Sequence, residues 1–450
     1  MKLEKIDKTN LRECSLYLIL RLLENDEIKI SKQLNFFREN IYLADERNYS
    51  FINELVLGVF RRLVTIDSYL KILIKKDFNK LPAIILNILR IALYQLLFMN
   101  DSPEFAVVDE SVKLAKKYGH IGTVKLTNGV LRNFLRKKDE LKSEFEKLSI
   151  NEQLSANSSL PLWLIEYWSE SLSVDELNIL GQELLKLPEF YLRINTLKIS
   201  VAKFKKLLKE EHISFEDTII EEGIRITSKV NPRDLIGYDE GFWYIQDLGS
   251  MLVSKVLNPE KDSFVIDFCA FPGGKTTHIS QLMENTGTVL ALDINRERQK
   301  IFDENIHRLG NKNIDILIQE ASRSLDLETL ADKVLVDPPC SGLGVIKRKP
   351  EIKLRRNIHD VKRLANVQLN ILTNASKYVK IGGELVYSTC TISAIENEML
   401  ISRFLKENKN FEYSKIDILN ENNENEGFIN VLPHKYLSDG FFIAKLRRID

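Results

Sequence analysis

Cysteine is scarce: four in 450 residues, at positions 14, 269, 340 and 390. A disulfide framework is therefore excluded, and a reducing cytoplasmic setting is expected. Histidine is scarcer for its size, with six in the chain, and neither a CxxC pair nor an HExxH run occurs. The ligand spacings of a metal site are missing, so no metal is expected. Net charge is also missing, because 64 basic residues balance 64 acidic ones. An all-over basic field is ruled out, but a local basic face is not. The first ten residues, MKLEKIDKTN, contain no apolar stretch of signal-peptide type. One run, Leu81 to Met99, has membrane length, yet Pro82, Asn87, Arg90 and Gln95 interrupt it, so it reads as a buried soluble helix. No membrane association is expected.

What remains is the composition of an ordinary globular protein, 44% hydrophobic and 28% charged, and too long for one core. The chain divides by pattern into three parts. Residues 1–147 carry helical periodicity (Tyr49–Leu63, Ala83–Phe98, Phe105–Tyr118, Val124–Leu135) and end in the basic cluster Arg132, Arg136, Lys137 and Lys138. Between Arg61 and Ser149 there are 17 basic against 10 acidic residues, a helical basic region suited to nucleic acid. The polar run 148–160, SINEQLSANSSLP, reads as a linker. Residues 160–240 mix helix with short strand-like stretches, a small α+β piece. Residues 241–450 alternate strand and helix, which predicts a parallel, doubly wound sheet with ligands at the strand C-termini.

The first strand of that last part, Phe264–Cys269, runs into Ala270-Phe271-Pro272-Gly273-Gly274-Lys275 and a helix. Paired glycines before a helix N-terminus let a ligand approach the backbone. A phosphate loop fails, since Cys269 stands where its first glycine belongs, and no G-x-G-x-x-G is present. The next strand ends at Asp293, 23 residues beyond Ala270, where an acidic side chain grips a ribose diol. An adenosine-bearing ligand without a phosphate to hold is the expectation. Two later strands run into Asp337-Pro-Pro-Cys340-Ser-Gly and Ser388-Thr-Cys390-Thr, which predicts both cysteines at one sheet edge beside the glycine turn. A basic stretch, Val345 to Arg363, carries eight basic and two acidic residues and is expected to face phosphates beside the site.

Asp267-x-Cys-Ala-x-Pro-Gly-Gly-Lys-Thr, Asp337-Pro-Pro-Cys-Ser-Gly and Ser388-Thr-Cys-Thr together resemble the signatures of RNA cytosine-5 methyltransferases of the Nol1/Nop2/Sun family. Tyr191–Lys198, Tyr244–Leu252 and Asp439–Lys445 resemble its upstream motifs and last strand, and Leu81–Leu96 with Thr127–Arg132 resembles a NusB-type helical domain. The resemblance spans nearly the whole chain. It implies an all-α RNA-binding domain, a small α+β subdomain and a Rossmann-like methyltransferase domain acting as a monomer on 16S ribosomal RNA. It implies S-adenosylmethionine on Cys269–Lys275, Asp293 on the ribose, Glu320 near the adenine and Asp337 at the pyrimidine edge. It further implies Cys390 as nucleophile at C6 and Cys340 as the release-assisting cysteine, with Lys275 in the catalytic group. Three residues depart from the family pattern: Phe271 for alanine, Glu320 for aspartate and Asn295 for an acidic residue. Transfer RNA or 23S ribosomal RNA is the alternative substrate, and a non-catalytic assembly factor the alternative role. A DNA cytosine-5 enzyme would use Cys340 as its nucleophile and lack Cys390 in this setting.

Overall fold

The computed structural model describes residues 6–40, 46–100, 102–418 and 427–450. The chain forms two compact units, Met1–Lys186 with Ile346–Arg355, and Leu187–Val345 with Arg356–Asp450.

The first unit is helical: α1 (Leu11–Glu24), α2 (Ile30–Asn40), α3 (Glu46–Ile74), α4 (Ala83–Phe98), α5 (Glu104–Tyr118), α6 (Ile121–Phe145), α7 (Ile150–Ser158), α8 (Leu162–Trp168) and α9 (Val174–Leu184). α4 is the membrane-length run, and its apolar side chains from Ile85 to Leu96 fill the core of this unit. Its polar residues are satisfied in place: Arg90 pairs with Asp67 at 2.7 Å, and Gln95 donates to Ile91 O and accepts from Arg12. Among the described residues no helix is long and apolar enough to cross a membrane.

Two expectations change here. Residues 150–158 form α7 rather than a linker. Ser149 and Glu152 close a capping box on its first turn, so a polar sequence folds because its ends are satisfied. The basic stretch after Cys340 is also not a free phosphate-facing loop. Residues Ile346–Arg355, which include the short helix later numbered α14, belong to the helical unit. Lys347 is buried against Glu183 at 2.6 Å, Lys353 is buried and donates to Arg61 O, and Arg355 donates to Leu22 O. Burial, with Arg61 and Arg62 nearby, pushes the Lys353 ammonium well below its usual pKa. Of the eight basic residues, Lys349, Lys362 and Arg363 are exposed. Long aliphatic stems let lysines enter a core wherever the terminal nitrogen finds an acceptor, and composition cannot reveal that.

The second unit holds two sheets. β1 (Phe190–Ile194), α10 (Val201–Glu210), β2 (Phe215–Asp217), β3 (Gly223–Ile226) and β4 (Trp243–Ile245) make an antiparallel sheet of order β2-β3-β1-β4, with Phe204 and Leu208 of α10 packed on it. The large sheet follows: α11 (Leu248–Leu257), β5 (Phe264–Phe268), α12 (Gly274–Leu282), β6 (Thr288–Asp293), α13 (Arg296–Leu309), β7 (Ile314–Ile318), β8 (Ala331–Val336), α14 (Ile352–Arg355, in the helical unit), α15 (Ile358–Ser376), β9 (Val379–Thr389), α16 (Glu398–Glu407), β10 (Phe411–Tyr413), β11 (Phe428–Val431), α17 (Pro433–Tyr436) and β12 (Phe441–Arg448). Its order is β10-β12-β9-β8-β5-β6-β7, with β11 also on β12.

Strands β5 to β9 are parallel, as alternation predicts, but β12 pairs antiparallel with β9, and β10 and β11 pair antiparallel with β12, so the sheet is mixed. Register decides the site. Leu292, Phe268, Val336 and Tyr387 lie side by side on β6, β5, β8 and β9. The next residue on each strand therefore forms one row at the C-terminal edge: Asp293, Cys269, Asp337 and Ser388. A one-residue slip of any strand would turn its member of the row to the other face.

Replacing Lys347 by alanine should lower the unfolding transition of the protein by roughly 1–3 kcal/mol, the scale of a lost hydrogen bond to a charged group. Urea titration followed by circular dichroism checks this, and an unchanged midpoint would show that the lysine is not held in the core.

Candidate active site

The glycine turn is built by backbone that only certain residues tolerate. Cys269 leaves β5 at φ 65° and Gly273 sits at φ 99°, with a cis peptide between Phe271 and Pro272. A Cβ on Gly273 would stand 2.6 Å from the Phe302 ring, so glycine is required there on both counts. Ala270 N donates to Leu292 O and Gly273 N to Ala270 O, which ties the turn to β6 and to itself. Phe271 packs on the Phe302 ring with centroids 4.4 Å apart, in a cluster with Ala270, Ala291 and neighbouring isoleucines. The bulk expected beside the cofactor turn is thus absorbed by packing against α13.

Three carboxylates, in or just beyond β5, β6 and β7, sit in different environments. Asp293 accepts from Phe271 N at 3.0 Å and Asn295 N at 2.8 Å, and is 9% exposed. Asp267, fully buried inside β5, accepts from Thr276 Oγ1 at 2.6 Å, while its other oxygen has no hydrogen-bond partner among the described residues. Burial, opposed by the Thr276 hydrogen bond, pushes its carboxyl up to about 7. Glu320 lies just beyond β7, exposed, and accepts from Ser322 and Arg323 in its own turn. No hydrogen bond joins it to the other predicted residues among the described ones.

The remaining four predicted residues come together. Lys275 Nζ donates to Asp337 Oδ2 at 2.6 Å, and Ser388 Oγ donates to Asp337 Oδ1 at 3.0 Å. The Sγ atoms of Cys340 and Cys390 are 3.2 Å apart, in contact but far from the roughly 2.05 Å of a disulfide. The hydrogen bond to Cys390 and burial both drive the Cys340 thiol pKa up, so Cys340 keeps its proton. Burial works against the Lys275 charge, but Asp337 and then Cys390 outweigh it and raise its pKa. The Lys275 ammonium therefore sits within electrostatic reach of the Cys390 sulfur.

The chain matches known proteins in sequence and fold. A family profile described as 16S rRNA methyltransferase RsmB/F matches residues 254–447, one for the NusB family matches 9–136, and one for an RsmF/B-like ferredoxin-like domain matches 160–232. A probable ribosomal RNA small subunit methyltransferase B of Bacillus subtilis is 33% identical, over 98% of this chain and 99% of its own. The chain belongs to the ribosomal RNA small subunit methyltransferase B family. A tRNA (cytosine(72)-C(5))-methyltransferase of Pyrococcus horikoshii is 39% identical over 48% of this chain and 55% of its own. Among solved structures, PH0851 superposes at TM-score 0.79 with 25% identity over 99% of both chains. NSun6 from Pyrococcus horikoshii, solved with the S-adenosylmethionine analogue SFG, superposes at TM-score 0.59 with 28% identity over 64% of this chain and 98% of its own.

As a member of this methyltransferase family the protein is an S-adenosylmethionine-dependent RNA methyltransferase. Its residues fit that cofactor: the unpartnered, buried oxygen of Asp267 at the root of the glycine turn calls for a cation or an N–H donor.

Sequence reasoning gave no role to Arg193, although the motif around it was noticed. Arg193 is fully buried and donates to Gln246, to Gly274 O and to Thr277 Oγ1, tying β1 to the first turn of α12. Burial drives its pKa down to about 9. Glu396, buried beside the Cys340 loop, also went unnoticed. Its only signal was a polar Glu-Asn pair ahead of an amphipathic helix.

The Asp267 carboxyl gives a test without RNA. In the fold it titrates near 7, whereas in the unfolded chain it titrates near 3.8. Between those values the native state holds a proton the unfolded state has released, so stability falls as pH rises through that window and is flat above it. Asp267→Asn, which keeps the Thr276 hydrogen bond without the titration, should lose less stability than wild type between about pH 5 and about pH 8. Equal losses in cofactor-free thermal melts would contradict a raised Asp267 pKa.

Proposed function

We propose that this protein methylates C5 of a cytosine in 16S ribosomal RNA, acting as a monomer in the cytoplasm through a transient covalent bond from Cys390. We further propose three functional regions: residues 1–147 for RNA recruitment, 160–240 as an RNA-contacting and linking piece, and 241–450 for catalysis. The single observation that carries the chemistry is the pair of thiols 3.2 Å apart beside the Lys275–Asp337 ion pair. The match along the whole length of the Bacillus subtilis protein favours ribosomal RNA over transfer RNA. The likeness to the tRNA enzyme covers about half of each chain.

Cytosine C5 is a weak nucleophile. In this reading the Cys390 thiolate, supported by the Lys275 cation, adds to C6 and pushes electron density to C5. When bound, S-adenosylmethionine supplies the electrophilic methyl group; Cys269 to Lys275 would hold it, with Asp293 at the ribose diol and Glu320 at the adenine. Asp337, fixed by Lys275 and Ser388, would meet the N3/N4 edge of a base swung out of its stack. After methylation the C5 proton leaves, the C6–S bond breaks with its electron pair returning to sulfur, and the C5–C6 double bond is restored. The protonated Cys340 thiol, 3.2 Å away, donates a hydrogen bond to the departing sulfur.

Two measurements test this. Asp293→Ala should weaken S-adenosylmethionine binding by roughly 1–3 kcal/mol in calorimetry, as lost charge-assisted hydrogen bonds would; equal affinity would refute the ribose assignment. Cys390→Ala should abolish both methylation and the protein–RNA adduct. Cys340→Ala should let the adduct form and accumulate on a denaturing gel. Trapped RNA with Cys390→Ala and none with Cys340→Ala would reverse the roles of the two cysteines.

A further inference from the structure

Both reactive sulfurs sit on loops beyond the ends of their strands, where backbone is ordinarily mobile. Both loops are nonetheless held on either side of the cysteine, and two of the three holding residues, Glu396 and Asn397, are neighbours in sequence. On the Cys340 loop, Ser341 N donates to Glu396 Oε1 at 2.8 Å and Ser341 Oγ donates to Glu396 Oε2. Pro339 O, on the other side of Cys340, accepts from Gln368 Nε2 at 3.0 Å, and the same nitrogen donates to Glu396 Oε1 at 2.8 Å. On the Cys390 loop, Thr389 Oγ1 donates to Asn397 Oδ1 at 2.7 Å, and Asn397 Nδ2 donates to Thr391 O at 3.0 Å.

Glu396 thus grips the chain after Cys340, Gln368 grips the chain before it, and Asn397 grips both sides of Cys390. Two cross-ties join the loops directly: Ser341 Oγ and Thr391 Oγ1 are 2.9 Å apart, and Gly344 N donates to Cys390 O at 3.1 Å. Tyr387 Oη donates to Glu396 O at 2.8 Å, closing the back of the network. Ser341, Gln368, Tyr387, Thr389, Thr391 and Glu396 are each 0% exposed and Asn397 is 1% exposed, so water cannot substitute for these bonds.

We infer that the Glu396–Asn397 pair, with Gln368, is a clamp that sets the distance between the two thiols, and that Glu396 and Asn397 are positioning residues for the covalent cycle. The inference rests on the two-cysteine reading above and adds residues to which that reading gives no part. Stability alone does not account for such a network. Taking a carboxylate out of water costs several kcal/mol, and an apolar side chain would fill the same space. Burial does raise the Glu396 pKa, while its bonds to Ser341 and Gln368 counter the rise. What the arrangement does secure is register between two groups that must act in turn on one carbon, and misplacing such groups by about 1 Å costs on the order of a hundredfold in rate.

The test reads thiol alignment and catalysis separately, in the full-length protein. The azo oxidant diamide takes one hydrogen from each thiol, becoming a hydrazine as Cys340 and Cys390 join in a disulfide, and peptide mass spectrometry follows the bond. Glu396→Ala should slow this oxidation and RNA methylation at saturating substrate by about tenfold or more, with S-adenosylmethionine affinity within about twofold of wild type because the cofactor turn is built from other residues. Glu396→Gln should restore both rates, since its amide oxygen can accept from Ser341 N and Gln368 while its NH2 donates to Ser341 Oγ, whose own proton turns to Thr391. Oxidation and turnover at wild-type rates in a cofactor-binding Glu396→Ala protein would overturn the clamp. So would failure of Glu396→Gln to rescue. If Glu396→Ala no longer binds S-adenosylmethionine, Ser341→Ala, which removes one hydroxyl, decides: slower oxidation supports the clamp, and an unchanged rate overturns it. Cys340→Ala run alongside separates the two claims, because absence of a trapped adduct in that variant refutes the two-cysteine chemistry, whatever the oxidation rates show.

Discussion

The parallel pairing of β8 with β9, Val336 opposite Tyr387, is the constraint on which the site depends. It sets Asp337 level with Ser388, and the two side chains hydrogen-bond there. From those two points the chain runs three residues to Cys340 and two to Cys390, and the sulfurs meet at 3.2 Å. The pairing of β5 with β8 adds the glycine turn at the same level, so Lys275, one residue into α12, reaches Asp337. Antiparallel neighbours would have sent these loops to opposite edges of the sheet. At the switch between β5 and β8 the connections diverge, and the crevice they leave is the place where such sheets bind ligands.

Charge at this edge couples the ion pair to the two thiols. Asp337 keeps Lys275 protonated in spite of its burial. Cys390 and burial keep the proton on Cys340. The two thiols thus sit in unequal surroundings, with Cys390 within the field of the Lys275 ammonium and Cys340 pushed up by burial and by its partner. Arg193 joins the small antiparallel sheet to the start of α12 and so supports the turn from behind.

Much of this was legible because strand–helix alternation is a strong pattern and the motifs fall where it turns. β5 to β8, the glycine turn, Asp293, Asp337 and both cysteines stand where periodicity and spacing put them. The strands β2, β4 and β11 are three or four residues long, too short to show a period, and β12 reverses direction against β9 without any sequence mark of it. The run 148–160 reads as a linker on polarity alone, whereas the Ser149–Glu152 capping box makes it a helix. Lys347 and Lys353 were read as surface charge because burial of a paired lysine depends on a partner from a distant part of the chain, Glu183 for one and Arg61 O for the other. Glu396 and Asn397 were invisible for the same reason, since their meaning lies in Ser341, Thr389 and Thr391. Local patterns carried the scaffold and the positions of the candidate site residues. The long-range polar contacts that hold those groups in place did not show.

The central claim, that this protein places a methyl group on C5 of a cytosine in small-subunit ribosomal RNA, is tested most directly by bisulfite sequencing of that RNA from cells lacking the gene. One 5-methylcytosine should disappear, returning when the wild-type gene is restored but not with Cys390→Ala. A small-subunit methylcytosine pattern identical to that of the parent cells would contradict the account.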